Sequence, residues 1–465
     1  MNKNLISLST AILFSLFFFR RNIGLNMLLF SILTILILIL LFPSKFKDKK
    51  VLMYTGFYIA SSSLIFFYNS SLTIVISLIS FFVLLGAVIE RRSSIYVQAF
   101  NGLYTTIASI FTTTFQQLNE ETKAVKKRNI NYIYWFKMIG IPLITVSIFI
   151  ILYRSANPYF NEIIQKIDLR FINIQLVLFT LMGYFLMINI INPIGIKSIT
   201  SIDLKTSNIL VRNAKKEQSI ESLIQENQLG IVLFIVLNSL LLFFLITDVL
   251  YISRIIDLRA SDLSKAVHEG VYALITSIVF AITIILYFFR GNLNFFANNK
   301  NLRLLTFVWI ILNIVVVCIT SYKNYLYVFQ YGFTYKRIGV YIYLSLSLIG
   351  LITTFFKVSN VYNLWYLFRK NMQMAYLLLI LLSTVNWDKF ITYYNIEIAN
   401  ITDLDYLVRL SDNNTLLLKK YIDAHPDIGT YREQREVLLK YHVYIEKLEG
   451  NNWQELVYDN LKLYK

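Results

Sequence analysis

The chain has one cysteine, Cys318, and three histidines, His268, His425 and His442, which fall in separate segments. A lone cysteine excludes an intrachain disulfide and a cysteine metal knuckle, and imidazoles so scattered give no H-x-x-x-H or H-E-x-x-H pair. No Walker A or G-x-G-x-x-G sequence is present to cradle phosphates, and no G-x-S-x-G elbow to present a serine nucleophile. ATPases, dinucleotide enzymes and serine hydrolases are thereby disfavoured, and no metal or cofactor is expected. Charge is also scarce. Charged residues make up 15% of the chain, against roughly a quarter in soluble domains.

Apolar residues are abundant instead, at 57% of 465 residues, which makes this a membrane protein. Its net charge of +17 is unevenly spread: from Trp387 onward there are 10 Lys/Arg and 13 Asp/Glu, against 34 and 14 before it. The basic excess therefore sits in loops beside apolar runs, where membrane topology and anionic lipid explain it and nucleic acid need not. Membrane lipids are the expected partners. Eleven runs approach the roughly 20 residues a span requires, from Leu5–Phe19 to Met372–Val385, the last followed by a more polar tail. The expected fold is all-α: a polytopic integral membrane helical bundle of about 11 transmembrane helices with a small C-terminal helical appendage. Arg20-Arg21, with no small-x-small cleavage site, marks the first run as a retained span.

With these runs, Lys and Arg alternate 22 to 11 between the two sides. That bias puts the N-terminus in the cytoplasm and the C-terminal tail outside it, in a multi-pass protein of the cell inner membrane. Residues 1–386 are read as the transmembrane domain and 387–465 as the extramembrane one. Within the first, Tyr96, Phe100, Leu103, Ile107, Ile110 and Phe111 recur at helical spacing, so residues near 95–115 are expected to form an amphipathic helix in the inner interface. In the tail, Ser411-Asp412 caps a helix through Leu416, Leu417 and Tyr421. A second follows through Val437 and Tyr444, and a third through Trp453, Leu456 and Leu461. Cys318, among apolar neighbours, reads as a packing residue.

The most aromatic junction between runs is Ser321–Arg337. Tyr322, Tyr325, Tyr327, Tyr331 and Tyr335 with Lys323, Lys336 and Arg337 are an interfacial belt in the plain account. In the sharper account they form a ligand-facing hairpin, because Gly332 permits a backbone bend. Lys323 is expected to be dispensable. Asp248 ends one run, and Arg254 is its natural partner. His268-Glu269 opens another, as a capping pair or an acid-base pair. Asn26, Asn189, Asn192, Asn238 and Asn313 fit hydrogen bonds between helices. On this topology Asn157, Asp248, His268, Glu269, Tyr331, Lys336 and Arg337 all sit at outer span ends and form the candidate polar cluster.

Six short motifs occur in order. They are Gly24-Leu25-Asn26; Ser155–Phe160; His268-Glu269-Gly270; Tyr331-Gly332-Phe333-Thr334 with Lys336-Arg337; Asn386-Trp387-Asp388 with Tyr394-Asn395-Ile396; and Asp403–Leu407 with Leu410-Ser411. Together they resemble the bacterial polytopic membrane family called domain of unknown function 4173, with departures at Asn157 and His268. The resemblance implies architecture and no activity. Two classes stay open: a non-enzymatic transporter, lipid-handling component or envelope scaffold, and a membrane enzyme acting on a lipid or lipid-linked substrate at the outer face. Convergence of the polar cluster on one cavity discriminates between a lipid site and a scaffold.

Overall fold

A computed structural model of the chain describes residues 3–107, 132–161, 173–212, 219–255, 260–399, 401 and 403–463. The described residues are all-helical, and one isolated bridge joins Ile209 to Tyr362. Helix is the natural outcome for such apolar runs, since it satisfies each backbone group within its own segment. Helices α1 (Lys3–Phe18), α2 (Leu25–Leu41), α3 (Lys49–Tyr68) and α4 (Ser71–Ile89) come first. Next are α5 (95–107), α6 (Tyr132–Ala156), α7 (Ile174–Ile191), α8 (Lys197–Lys205), α9 (Ile220–Ile255) and α10 (Ala260–Phe288). They are followed by α11 (Lys300–Tyr331), α12 (Tyr335–Ser359) and α13 (Leu364–Ser383). The short α14 (Trp387–Tyr393), α15 (Leu404–Val408), α16 (Thr415–Ala424) and α17 (Tyr431–Glu449) close the series.

Among the described residues six helices, α3, α4, α7, α9, α11 and α12, are long and apolar enough to cross a membrane. A seventh is made by α13 with α14 if the 57° bend between them falls inside one span. This is fewer than the expected 11. Four expected runs lie on apolar helical stretches of 10–17 residues, Lys3–Phe18, Leu25–Leu41, Gly140–Ala156 and Ala273–Phe288, shorter than a full crossing. The bend has a local cause: Asn386 leaves the helical conformation, and its side chain accepts from the Lys389 amide to cap α14.

The chain divides into two compact units, residues 1–20 with 104–194, and residues 21–103 with 195–465. In the first, α1 packs on α7. Phe14 stacks on Phe179 with centroids 5.1 Å apart, and the Ser15 and Thr180 hydroxyls meet at 2.8 Å. Asn189 donates to the Thr106 carbonyl at 3.0 Å.

In the second unit, a ladder of buried hydroxyls crosses α2, α3 and α4, with Ser31 to Ser62 at 2.8 Å and Ser62 to Ser77 at 2.9 Å. Small hydroxyl residues let helix backbones approach while finding their partners across the interface. Where α4 meets α5 the approach is closer still. A Cβ on Gly86 would lie 1.9 Å from the Gln98 carbonyl oxygen, and one on Gly102 1.9 Å from that of Phe82. The main apolar core joins α9 to α12 around Phe234, Ile285, Phe289, Leu302, Ile310 and Leu351. A separate core holds the C-terminal helices through Ile391, Ile396, Leu404, Leu407, Leu418 and Val437, and it includes Ile338 from the first turn of α12. That shared isoleucine fixes the C-terminal helices to the start of a long apolar helix.

In α5, Gln98, Asn101 and Thr105 are buried with Ile95 and Val97, while Phe100, Leu103 and Ile107 point outward. Ile110 and Phe111 lie outside the described residues. The third tail helix resolves into two 3-10 turns, Trp453–Glu455 and Tyr458–Leu463. Cys318 is exposed on α11 and does not pack inward. Helical periodicity accounts for this, since Val316, Val317 and Thr320 occupy the buried side.

Candidate functional site

The site begins at the turn between α11 and α12. α11 ends in Gly332, whose φ of 74° is in the left-handed region that glycine adopts at least cost. A Cβ there would also stand 2.5 Å from the Asn395 Oδ1. That amide clamps the turn from both sides: Phe333 N–H donates to Oδ1 at 2.6 Å, and Nδ2 donates to the Phe333 carbonyl at 2.9 Å. Thr334 then caps α12 by accepting from the Arg337 amide.

Arg337, one turn into α12, folds back over this cap. Its Nη1 donates to the Tyr331 carbonyl at 2.5 Å and to the Gly332 carbonyl. Its guanidinium carbon lies 3.9 Å from the Tyr327 ring centroid. A cation at a helix C-terminus complements the helix dipole, and the ring face adds a cation–π contact. Although the side chain is 9% exposed, its Nε is buried with no hydrogen-bond partner. Natively folded chains seldom leave such a charged donor orphaned.

Asp388, in the first turn of α14, faces the same space. Its carboxylate accepts from the Tyr335 hydroxyl at 2.7 Å and from the Ser411 hydroxyl. The Tyr406 hydroxyl accepts from the Tyr335 amide at 2.9 Å, and burial raises its pKa. Behind Ser411, Lys440 donates to the carbonyls of Leu410 at 2.8 Å and Ser411 at 3.0 Å, and to Asn414 Oδ1 at 2.7 Å. Burial pushes that amine down to about 8, against the opposing pull of Asp412 and Asp388.

These groups surround a cavity of about 850 Å³, within the size range of small-molecule sites. Leu72, Tyr327, Trp387 and Leu410 give it an apolar side; Lys336, Arg337 and Arg409 give it three cations. Asp388 is its single carboxylate, already engaged at both oxygens. Lys336 and Arg409 are exposed and form no ion pair among the described residues. The cavity therefore has a net positive lining beside apolar surface, the complement of an anionic amphiphile.

The expected polar cluster gathers only in part. Lys336 and Arg337 line the cavity, and Tyr331 supplies a backbone carbonyl while its ring packs on Tyr327 at 5.6 Å. Asp248 is elsewhere, paired with Lys323 from α11. Lys323, expected to be dispensable, thus holds a side chain that is 12% exposed. Asn157 lies in the other unit and caps locally, accepting from the Tyr159 and Phe160 amides at 2.9 and 3.2 Å. The side chains of His268, Glu269 and Arg254 lie outside the described residues. Of the intraspan asparagines, Asn238 reaches across to the Leu305 carbonyl at 3.0 Å and Asn189 also bridges helices. Asn313 bonds its own helix at Trp309, Asn192 likewise bonds its own helix at Ile188 and accepts from Lys3, and Asn26 folds onto the start of α2. Tyr335 belongs to the expected hairpin, whereas Asp388, Tyr406, Arg409 and Ser411 were not expected at the site. All four stand in or next to the quoted motifs, but their partners lie far along the chain. Among the described residues no group of three His, Cys, Asp or Glu side chains is placed to hold a metal.

The sequence profile of the family "Domain of unknown function (DUF4153)" matches residues 8–421, so the chain belongs to that family. This overturns the resemblance to domain of unknown function 4173, which is a different family. The physical reason lies in the motifs quoted for it. Asn386 and Asp403 are N-caps, Thr334 is an N-cap and Gly332 a left-handed C-cap, and such residues recur wherever helices start and stop. No curated protein and no solved structure matches the chain.

Proposed function

We propose that this family member is a lipid-handling multi-pass protein of the cell inner membrane, and that the cavity between the start of α12 and the C-terminal helices holds an anionic lipid headgroup. The carrying observation is the convergence of Lys336, Arg337 and Arg409 on a cavity whose one carboxylate is already engaged. A phosphate or carboxylate placed there accepts from Arg337 and is flanked by Lys336 and Arg409, while acyl chains follow the Leu72 and Trp387 side. In this reading the four short apolar helices also cross, which restores 11 spans, and residues 387–465 form an appendage on the outer face. The 22 to 11 distribution of Lys and Arg supports that sidedness. The outward apolar face of α5 supports its lying in the inner interface.

An enzymatic reading has one observation of its own, the Ser411 hydroxyl donating to Asp388 at the cavity wall. Lipid retention separates the two. The full-length protein is reconstituted in equimolar phosphatidylglycerol and phosphatidylcholine, extracted in nonionic detergent, and its retained lipid quantified. Enrichment of phosphatidylglycerol that falls about tenfold in a Lys336→Ala/Arg409→Ala variant supports the binding role. Retained lipid that mirrors the vesicles refutes it, and conversion of the lipid abolished by Ser411→Ala replaces it with the enzyme.

A further inference from the structure

A second concavity lies in the same unit at the far ends of the helices that begin at the first. α4 and α12 start at Ser71 and Tyr335 beside the first cavity; α3 starts at the second, from Lys50, and α4 ends next to it. This pocket has a volume of about 420 Å³, and its charged lining is Lys50, Arg92, Arg369, Lys370 and Asp203.

Its construction separates structural from available charge. Residues 207–210 lie against 361–363, with Leu210 N–H donating to the Val361 carbonyl at 3.0 Å and Asn363 N–H to the Asn208 carbonyl at 2.9 Å. This clasp holds Asn208 where Arg369 reaches it. Arg369 is then saturated: it bonds Asn208 Oδ1 at 2.6 Å, the Thr206 carbonyl at 2.9 Å and Asp203 Oδ1 at 3.0 Å. Asp203 is saturated too, since Ser94 donates to it through its amide at 2.7 Å and its hydroxyl at 2.9 Å, and Tyr96 through its hydroxyl at 3.2 Å. Of two further carboxylates close by, Asp48 pairs with Arg91 at 2.6 Å and caps α3, and Glu90 accepts from the Arg92 amide at 2.9 Å and forms no ion pair with a described side chain. Lys50, Arg92 and Lys370 are thus left around the pocket with no acid partner among the described residues.

We propose that this pocket binds a phosphate group, with Lys50, Arg92 and Lys370 as its ligands and Gln373 as a neutral donor at its rim. Topology signals alone explain basic loops, but they do not require three unpaired cations to converge on one concavity whose only carboxylate is closed off. The volume admits a phosphomonoester with a small polyol, and basic pockets between membrane helices are suited to phospholipid headgroups. A soluble phosphate offers the same chemistry.

The test uses full-length protein carrying Lys336→Ala/Arg409→Ala, so that the first cavity cannot contribute. Thermal unfolding is followed in nonionic micelles in two arms: sodium phosphate against sodium chloride at equal ionic strength, and micelles doped with phosphatidic acid against phosphatidylcholine. A saturable rise of about 2–4 °C in either arm, absent after Lys50→Gln/Arg92→Gln/Lys370→Gln is added, supports the site. The responding arm names the source. No saturable rise in either arm, or an equal rise with the triple substitution, overturns the proposal. Circular dichroism of the variant without ligand checks that it is folded.

Discussion

Two arginines of the second unit have similar posts and opposite surroundings. Arg337 folds onto the last carbonyls of α11, and Arg369 onto the Asp203 and Thr206 carbonyls at the end of α8. Each complements a helix C-terminus. Arg369 also meets a carboxylate, Asp203, and every nitrogen finds a partner. Arg337 meets none, and its Nε is left over. A buried cation neutralised by its neighbours is part of the scaffold, whereas one neutralised by nothing leaves charge for a ligand. The same distinction separates Arg369 from Lys50, Arg92 and Lys370 within the second pocket.

The comparison breaks most sharply by removing each arginine. Arg369→Ala strands a carboxylate that is 5% exposed, so it is expected to cost about 3–5 kcal/mol in detergent unfolding. Arg337→Ala strands none and is expected to cost only about 1–2 kcal/mol through the lost cap. Equal losses would remove the distinction. Acid titration sharpens it further. Burial pushes the Asp203 carboxyl up, but the Ser94 hydrogen bonds and Arg369 more than offset this, so it titrates below its usual 3.8. Its stabilisation is therefore present above pH 3.8 and lost as pH falls through the lower folded value. With Arg369→Met that loss should begin at higher pH.

Lys323 gives the comparison a third member. Lys323→Ala removes the cation paired with Asp248, a side chain that is 12% exposed, with an expected loss of about 3 kcal/mol; Asp248→Asn in the same chain should restore much of it. A smaller effect, about 1–3 kcal/mol, is expected from Gly332→Ala, which forces a side chain into positive φ and against Asn395. Unfolding midpoints of the single variant and of Gly332→Ala/Asn395→Ala separate the backbone part from the contact part. The smallest effect concerns Lys440. Its folded value of about 8 lies below the ordinary 10.5, so the unfolded chain binds more protons between these limits. Stability of the wild type relative to Lys440→Met should therefore rise from pH 8 to 10.5. A flat difference would mean that the amine is not buried in solution.

How much of this was readable in the chain depends on the range of the interaction. The helices follow from apolar runs and caps, and the bend at Gly332 follows from local backbone chemistry alone. The site joins residues far apart: Tyr335 to Asp388 spans 53 positions, and Arg369 to Asp203 spans 166. Asp388 alone looks like a first-turn acid answering a helix dipole, and Ser411 like a cap. Lys323 looked like a belt residue because its partner, Asp248, is 75 positions away. α5 shows the reverse: its helical spacing and its two faces are local features, and both are legible from Phe100, Leu103 and Ile107 on one side and Gln98, Asn101 and Thr105 on the other.

Trp387, on the wall of the Arg337 cavity, reports directly on whether the cavity takes an anionic lipid. The other four tryptophans, Trp135, Trp309, Trp365 and Trp453, are replaced by phenylalanine, and Trp387 fluorescence is titrated with acyl-brominated lipids in nonionic micelles. Saturable quenching is expected with brominated phosphatidylglycerol, weaker quenching with brominated phosphatidylcholine, and loss of the difference in Lys336→Ala/Arg409→Ala. Equal quenching by both lipids in the unsubstituted cavity would contradict the account.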